Sequence, residues 1–382
     1  MRKLTENQEL IRSMAEEFTK TTVAAKTAEG TAVYAKTGQA PFSFDLWGEA
    51  CELGYAGITV PERHGGLGLG MVEEMLVMEE ISRVNASLAT NFDAHNLALK
   101  TILYSGSDEQ RERLLPDLAS GKLIAAAAVT DPAGSSNFPE WSTKVEADGD
   151  GWVISATKHF CTNVIAADLY AVYTKSASGP GPMDCYLVPA DSEGVEEGPL
   201  ESFGRSGTNT GTLRLDRVKV AAENKIPPGD LYSAAWLSLG YLDFAAIMLG
   251  RTQTVFDKTV AFLKQRTRRG KPLAQLQAVA HRLANLACQI EQARSVAYDA
   301  AELWDAGTPN RMLHSIAKIA PSEMASTVSL QCVAMHGAAG MDPATGVLSA
   351  YLGAPSSWNG EYPNDLHRDM IAGDLGIDLE SL

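Results

Sequence analysis

Apolar positions recur at helical spacing through the first third of the chain. Between residues 7 and 21 they fall at Leu10, Ile11, Met14 and Phe18, which lie on one face of a helix. Residues 44–53 repeat the pattern. Residues 71–82 follow as an amphipathic helix, and 108–118 as another with Asp108 as its cap. The glycine-rich stretch from Gly65 to Gly70 is a loop. Near Lys122 the texture changes. From 124 to 220 the apolar runs shorten to strand length at 152–155, 169–173, 185–188 and 213–215. Gly149-Asp150-Gly151 and the Gly-Pro stretch 179–182 punctuate them as turns. After Pro228 the helices return and lengthen, over 232–265, 272–305 and 310–336. Their apolar residues cover much of the circumference, as in a buried bundle.

The predicted fold class is therefore α+β. An N-terminal helical domain spans 1–122, a small central β-barrel or sandwich domain 123–226, and a C-terminal helical bundle 227–382.

Composition sharpens this picture in three ways. The chain has 382 residues, 45% hydrophobic and 21% charged, which is globular and longer than one typical core. A net charge of −15 disfavours nucleic acid and anionic lipid as partners. Against that background the cluster Arg266, Arg268, Arg269 and Lys271 stands out as a candidate anion site, or else as a solvated helix end. The five cysteines are scattered and form no Cys-x-x-Cys pair, so neither a zinc site nor a disulfide framework is suggested. Reduced, buried thiols and a cytoplasmic location are expected. The polar first residues do not resemble a signal peptide. No apolar run approaches the about 20 residues of a membrane span, so no membrane insertion is expected.

Several short motifs occur in a telling order. Val60-Pro61-Glu62-Arg63-His64-Gly65-Gly66-Leu67-Gly68 resembles the Pro-Glu-x-x-Gly-Gly-x-Gly segment of the acyl-CoA dehydrogenase family. Val129-Thr130-Asp131-Pro132 resembles its Thr-Glu-Pro stretch, and Phe160-Cys161-Thr162-Asn163 its Trp-Ile-Thr-Asn. Gln265-Arg266-Thr267-Arg268-Arg269-Gly270, then Leu276-Gln277, resembles Glu-Arg-x-x-Phe-Gly and Phe-Gln. His336-Gly337-Ala338-Ala339-Gly340 resembles the Gly-Gly-x-Gly turn. Each motif alone is weak. Together they are collinear and cover nearly the whole chain.

The resemblance implies FAD as cofactor and an acyl-CoA thioester as substrate. It gives the flavin ring to Val129, Thr130, Ser136, Phe160 and Thr162, with Thr162 towards N5 and Phe160 packed on the ring. Arg266 matches the arginine that meets the pyrophosphate, and a guanidinium suits phosphate oxygens. Gln277 and Gly337 match contacts to the FAD of a neighbouring subunit. That implies a homo-oligomer, in this family usually a dimer of dimers, with an electron-transferring flavoprotein as redox partner. No metal is implied. In isolation Phe160 and Thr162 would read as ordinary strand residues.

The reaction removes an α-proton from the thioester while hydride leaves the β-carbon for the flavin. It needs a carboxylate base in an apolar pocket. The family's glutamate lies in Tyr-Glu-Gly-Thr, beyond the Gly-Gly-x-Gly turn. Reading without gaps from His336 puts Gly360-Glu361-Tyr362-Pro363 over that motif and residues 365–372 over the closing helix. Glu361 is the expected base. The competing register through His367-Arg368-Asp369 leaves no glutamate and too little chain. A base on the long helix would fall on Gly240, which cannot serve, with Asp243 one turn on as the fallback.

Departures from the pattern are Tyr362-Pro363 for Gly-Thr, Tyr241 for an arginine, Ala334 for a glutamine and Asn137 for an aspartate. The alternative function is a same-fold lyase or flavin scaffold acting on a CoA ester without net oxidation.

Overall fold

The computed structural model describes residues 3–29, 42–176, 183–200, 207–228 and 235–378. The expected turn at 179–182 and the start of the helix expected from 232 lie outside these. The chain is α+β, with N-terminal helices, a middle β-domain and C-terminal helices. Its contacts group it into two compact units.

One unit combines residues 1–24, 71–89 and 241–382. It holds α1 (Glu6–Phe18), α3 (Met71–Ser82), most of α6 (Ala235–Gln265), α7 (Gln277–Asp305), α8 (Arg311–His336), α9 (Val347–Gly353) and α10 (Asn364–Asp374). Helix α1 packs on α3, α3 on α7, and α8 on α7, α9 and α10. Two devices lock α3 in place. Gly250 lets α6 approach so closely that a Cβ there would lie 2.0 Å from the Glu79 carbonyl oxygen. Glu79 itself accepts from Arg294 Nε (3.1 Å), Arg294 Nη2 (3.0 Å) and the Tyr298 hydroxyl (2.9 Å). Desolvation and the Glu79 carboxylate both push the Tyr298 phenol well up, so it stays a neutral donor.

The second unit combines 25–70 and 90–240. Here α2 (Phe44–Glu52), the greater part of α4 (Ala86–Ser105) and α5 (Asp108–Ala119) accompany two sheets. In the first sheet β1 (Ala125–Ala128) pairs parallel with β4 (Leu169–Lys175), which pairs antiparallel with β5 (Met183–Pro189). The second has the order β2-β3-β7-β6, from Lys144–Asp148, Gly151–Cys161, Gly211–Val220 and Val195–Pro199. Ala126, Ile154, Tyr170, Val172, Leu213 and Val218 share a core with residues from both sheets. Buried His95 fastens α4 between the Leu118 carbonyl and the Ala125 N–H, each at 3.1 Å.

Two expectations need correction. The cap of α5 is Ser107, one residue before Asp108, in a capping box with Gln110. Of the basic cluster only Arg266 is at a helix end, its N–H donating to the Phe262 carbonyl; the others lie in a hairpin. Helix α6 stops at Gln265, and Thr267–Arg268 (β8) pairs with Lys271–Pro272 (β9). Arg269 (φ 50°) and Gly270 (φ 77°) form its two-residue turn, the left-handed pair of a tight hairpin. Of the cysteines, Cys161, Cys185 and Cys332 are buried, Cys51 is half-buried and Cys288 is exposed; all are free thiols.

A carboxylate on α7 caps α3 from a distance. Asp305 accepts from the Met71 and Val72 N–H groups at 2.7 and 3.0 Å. Asp305→Ala leaves both donors without this acceptor. It is expected to lower unfolding free energy by about 2 kcal/mol, read from urea titration.

Candidate functional site

The sequence-derived site residues fall in two groups, one on each unit. In the β-domain unit, the segment after β1 carries Val129 and Thr130, and β3 runs beside it. The His159 N–H donates to the Thr130 carbonyl at 2.8 Å. Lys158, fully buried, donates to the Val129 carbonyl at 3.1 Å and pairs with Asp131 at 3.6 Å. Its ammonium also lies 4.1 Å from the centre of the Trp141 ring. Burial pushes the ammonium down to about 8, with Asp131 opposing, so it is charged at neutral pH. Desolvation works against the Asp131 carboxylate. Donation from the Ser142 N–H, the Thr143 hydroxyl and Lys158 outweighs it and holds the group below the usual range.

Strand β3 ends in an irregular stretch. Its register with β7 shifts between Lys158 and Cys161, and Phe160 sits there at φ 54° with its ring 59% exposed. Thr162 follows, buried, its hydroxyl 3.2 Å from Thr210, which lies 2.7 Å from Thr208. Asn163 (φ 68°) is fixed by a reciprocal amide pair. The Asn91 Nδ2 donates to its Oδ1 at 2.7 Å, and its Nδ2 donates to the Asn91 carbonyl at 2.8 Å. Ser136 is exposed in the loop beyond Pro132.

These residues fit a flavin. Thr130 is half-buried and its hydroxyl has no hydrogen-bond partner among the described residues. Thr162 offers a hydroxyl, and Phe160 a flat apolar face beside them. An isoalloxazine ring needs polar partners at its edge and a flat apolar contact.

In the helical unit, Arg266, Gln277 and Gly337 are all exposed. Arg266 is clamped by its backbone, its N–H donating to Phe262 and its carbonyl accepting from Leu273, each at 2.8 Å. Gln277 opens α7. Gly337 ends α8 at φ 61°, and nothing lies within 4 Å of where a Cβ would be, so its backbone is open to a ligand.

Glu361 lies in the loop before α10, half-buried, at φ 50°. Tyr362 follows at φ 68° with its side chain buried. Two consecutive non-glycine residues in the left-handed region cost roughly 1–2 kcal/mol each. Both of their carbonyls are held. Buried His367 Nε2 donates to Glu361 O at 3.0 Å, and Lys318 Nζ donates to Tyr362 O at 2.8 Å. Lys318 also donates to Trp358 O (3.2 Å) and Asn364 Oδ1 (2.5 Å). Burial pushes its ammonium down to about 8, with the Glu361 charge opposing the shift. Tyr241 meets the His367 ring edge-on at 4.3 Å. Asp243 is buried on α6, and residues 367–369 lie inside α10. Gly360 packs under Phe244, whose ring would be 2.9 Å from a Cβ there.

Lys158, Lys318 and His367 were not singled out from the sequence as site residues. The available signal was a lone lysine inside the apolar run Ile316-Ala317-Lys318-Ile319-Ala320, where a surface helix would not place one.

Three family models cover the chain: the N-terminal, middle and C-terminal domains of acyl-CoA dehydrogenase match residues 5–122, 126–218 and 234–376. The chain belongs to the acyl-CoA dehydrogenase family. It is an FAD-dependent oxidoreductase acting on acyl-CoA. It is 30% identical to a probable acyl-CoA dehydrogenase of Bacillus subtilis (strain 168), covering 97% of this chain and 98% of that one. It is 31% identical to a glutaryl-CoA dehydrogenase of Desulfococcus multivorans, covering 85% and 87%. The structure of butyryl-CoA dehydrogenase from Megasphaera elsdenii superposes with a TM-score of 0.90 at 25% identity, covering 98% and 99%. No helix among the described residues is long and apolar enough to cross a membrane.

Burial pushes His367 down to about 4, so it is neutral at physiological pH and donates through Nε2. The unfolded imidazole takes up its proton near 6.5, before the folded one. Stability is therefore unaffected by this group above about pH 6.5 and falls as pH drops towards 4, by about 3 kcal/mol in all. His367→Gln keeps a donor for Glu361 O but cannot titrate. Urea midpoints measured from pH 7 to 4 should fall more steeply in the wild type than in this variant.

Proposed function

We propose that this chain desaturates an acyl-CoA thioester at its α,β-bond with Glu361 as the base. The observation that carries this reading is the held, left-handed loop at Glu361 and Tyr362. Strained backbone at a half-buried carboxylate is a mark of a working position. The thioester's α C–H bond breaks, and the proton passes to a Glu361 carboxylate oxygen. Bound FAD supplies the acceptor for the hydride that leaves the β-carbon. Val129, Thr130, Ser136, Phe160 and Thr162 hold the flavin ring: Thr162 by its hydroxyl, Phe160 by its face. Lys158 keeps the Val129–Asp131 segment still, its charge balanced by Asp131.

Arg266 serves the FAD pyrophosphate, and Gln277 and Gly337 contact the FAD of a neighbouring copy of this chain. The exposure of all three in the single chain supports these roles. The same reading makes the protein a cytoplasmic homo-oligomer, a dimer of dimers, that passes electrons to an electron-transferring flavoprotein. It divides the chain into domains 1–122, 123–226 and 227–382. The names of two relatives, glutaryl-CoA and butyryl-CoA dehydrogenase, make those thioesters the first substrates to try.

Glu361→Gln is nearly isosteric and should retain FAD. Anaerobic bleaching of the flavin by a turned-over acyl-CoA should slow by on the order of 10²–10⁴, while Asp243→Asn should bleach at close to the wild-type rate. A reversed order would move the base to α6. Bleaching by no acyl-CoA in the wild type would end the desaturase reading.

Arg266→Ala should weaken FAD binding by about 1.5–3 kcal/mol, the range for a hydrogen bond to a charged group. Titration of the apoprotein by flavin fluorescence measures this, and unchanged affinity would leave Arg266 the residue that closes α6.

A further inference from the structure

Lys318 projects from α8 with 1% of its surface exposed. An ammonium has three N–H donors and no acceptor. All three are used, and all on one short stretch: the carbonyls of Trp358 and Tyr362 and the side-chain oxygen of Asn364. The Ser322 hydroxyl, one turn along α8, lies 3.2 Å from the same Asn364 oxygen, its nearest acceptor being the Lys318 carbonyl at 2.8 Å. The acceptors are neutral, so Lys318 is not simply the counter-ion of the base. Its grip is on the backbone that carries Glu361. Tyr362 O belongs to the Tyr362–Pro363 peptide, immediately after the two left-handed residues, while the peptide that joins them carries Glu361 O, held by His367. Freed from the ammonium, the Tyr362 carbonyl is no longer fixed, the two residues can relax to ordinary backbone angles, and the Glu361 side chain swings with them.

We propose that Lys318 is the positioning residue of the base: its three donated hydrogen bonds hold the 358–364 segment in the strained conformation that aims the Glu361 carboxylate. This rests on the reading of Glu361 as the base.

The charged and titratable groups acting on Lys318 are Glu361 in the loop, Glu323 on its own helix and Arg368 on α10. Neutral His367, also on α10, feels the Lys318 charge. Arg368 is engaged with Glu323 and Asp365. Burial pushes the Lys318 ammonium down to about 8. Above that pH the amine keeps two donors for three acceptors, and the grip loosens.

The test uses the full-length FAD-loaded protein and two readouts. Hydrogen exchange of residues 356–366 reports the segment with no substrate present. Anaerobic bleaching by butyryl-CoA, isovaleryl-CoA or glutaryl-CoA, whichever is fastest at saturation, reports the chemical step. Lys318→Met should raise exchange in the segment at least about 10-fold over the change elsewhere in α8. Bleaching should slow by about 100-fold with KM within a few-fold, the scale of a misplaced reacting group. In a Glu361→Gln background the same substitution should cost less than about 3-fold, because its effect runs through the carboxylate.

Unchanged segment protection, or a uniform rise across the protein, overturns the proposal. So does a full 100-fold loss in the Glu361→Gln background. If Glu361→Gln alone bleaches at the wild-type rate, the base reading has failed while the exchange result still decides whether Lys318 holds the loop. Exchange decides alone if none of the three thioesters bleaches the flavin. If Lys318→Met does not fold, wild-type exchange is followed from pH 7 to 9.5. Corrected for the intrinsic rate, protection of 356–366 should fall through about pH 8, and constant protection overturns the proposal.

Discussion

A buried ammonium tolerates no vacancy among its partners. Removing one ion from water costs several kcal/mol, and each N–H left unpaired adds to it. Lys318 meets that demand with three oxygens, all from residues 358–364. The constraint runs in both directions. The segment cannot drift without stranding the charge, and α8 cannot shift without dragging the segment. Helix α10 begins at Asn364, so its first turn is tied into the same knot. The strain of two left-handed residues, roughly 1–2 kcal/mol each, is small beside the penalty for releasing them.

The β-domain uses the same device on its own share of the site. Lys158 is as buried as Lys318, and it too takes a backbone carbonyl, that of Val129. The difference lies in the rest of the shell. Lys158 has a carboxylate partner in Asp131 and an aromatic face in Trp141. Asp131 in turn fixes Ser142 and Thr143. Replacing such groups by hydrophobic ones of equal volume is often neutral or stabilising. Stability alone therefore does not account for a lysine at either place. A hydrocarbon would fill the space but could not specify where a carbonyl points. Orientation is what the roles proposed for both segments, holding a cofactor and carrying a base, require.

Residues 71–82 came out to the residue, although that helix is buried nearly all round rather than on one face. The helices expected over 272–305 and 310–336 run Gln277–Asp305 and Arg311–His336, and the one expected over 232–265 ends at Gln265, its start lying outside the described residues. The apolar pattern missed α4 because polar side chains are buried around it: Asn91, Asp93, His95, Asn96, Lys100 and Thr101 erase the periodicity. Strand β1 was missed for the opposite reason. It is four alanines, good helix formers, made into a strand by parallel pairing with β4. The hairpin at 267–272 was legible in its Arg269-Gly270 turn but was overshadowed by its charge. The ungapped register from His336 singled out Glu361 and placed the closing helix, which the structure has at Asn364–Asp374. What no motif spacing could convey is the backbone angle at Glu361 or the lysine forty residues upstream that secures it.

Two of the departures from the family pattern, at 241 and 362, lie far apart along the chain and come together through His367. Tyr362 stands where the resemblance has glycine, yet it adopts a φ of 68° that glycine takes freely. The backbone of the motif survives the loss of its glycine because Lys318 holds the carbonyl and the aromatic side chain is buried. Tyr241, where an arginine is usual, packs edge-on against His367. His367 donates to the carbonyl of Glu361 itself. Tyr241, the His367 imidazole and the Glu361 carbonyl are thus in successive contact, and Lys318 holds the next carbonyl along, that of Tyr362. A guanidinium at 241 would bring a second cation towards a histidine that burial and Lys318 already keep unprotonated. With Tyr241 in place of an arginine, the charges around Glu361, the proposed base, are Lys318 and the Glu323–Arg368 pair. The substitutions at 241 and 362 therefore fall in one neighbourhood around the proposed base, where His367 and Lys318 hold the carbonyls of Glu361 and Tyr362.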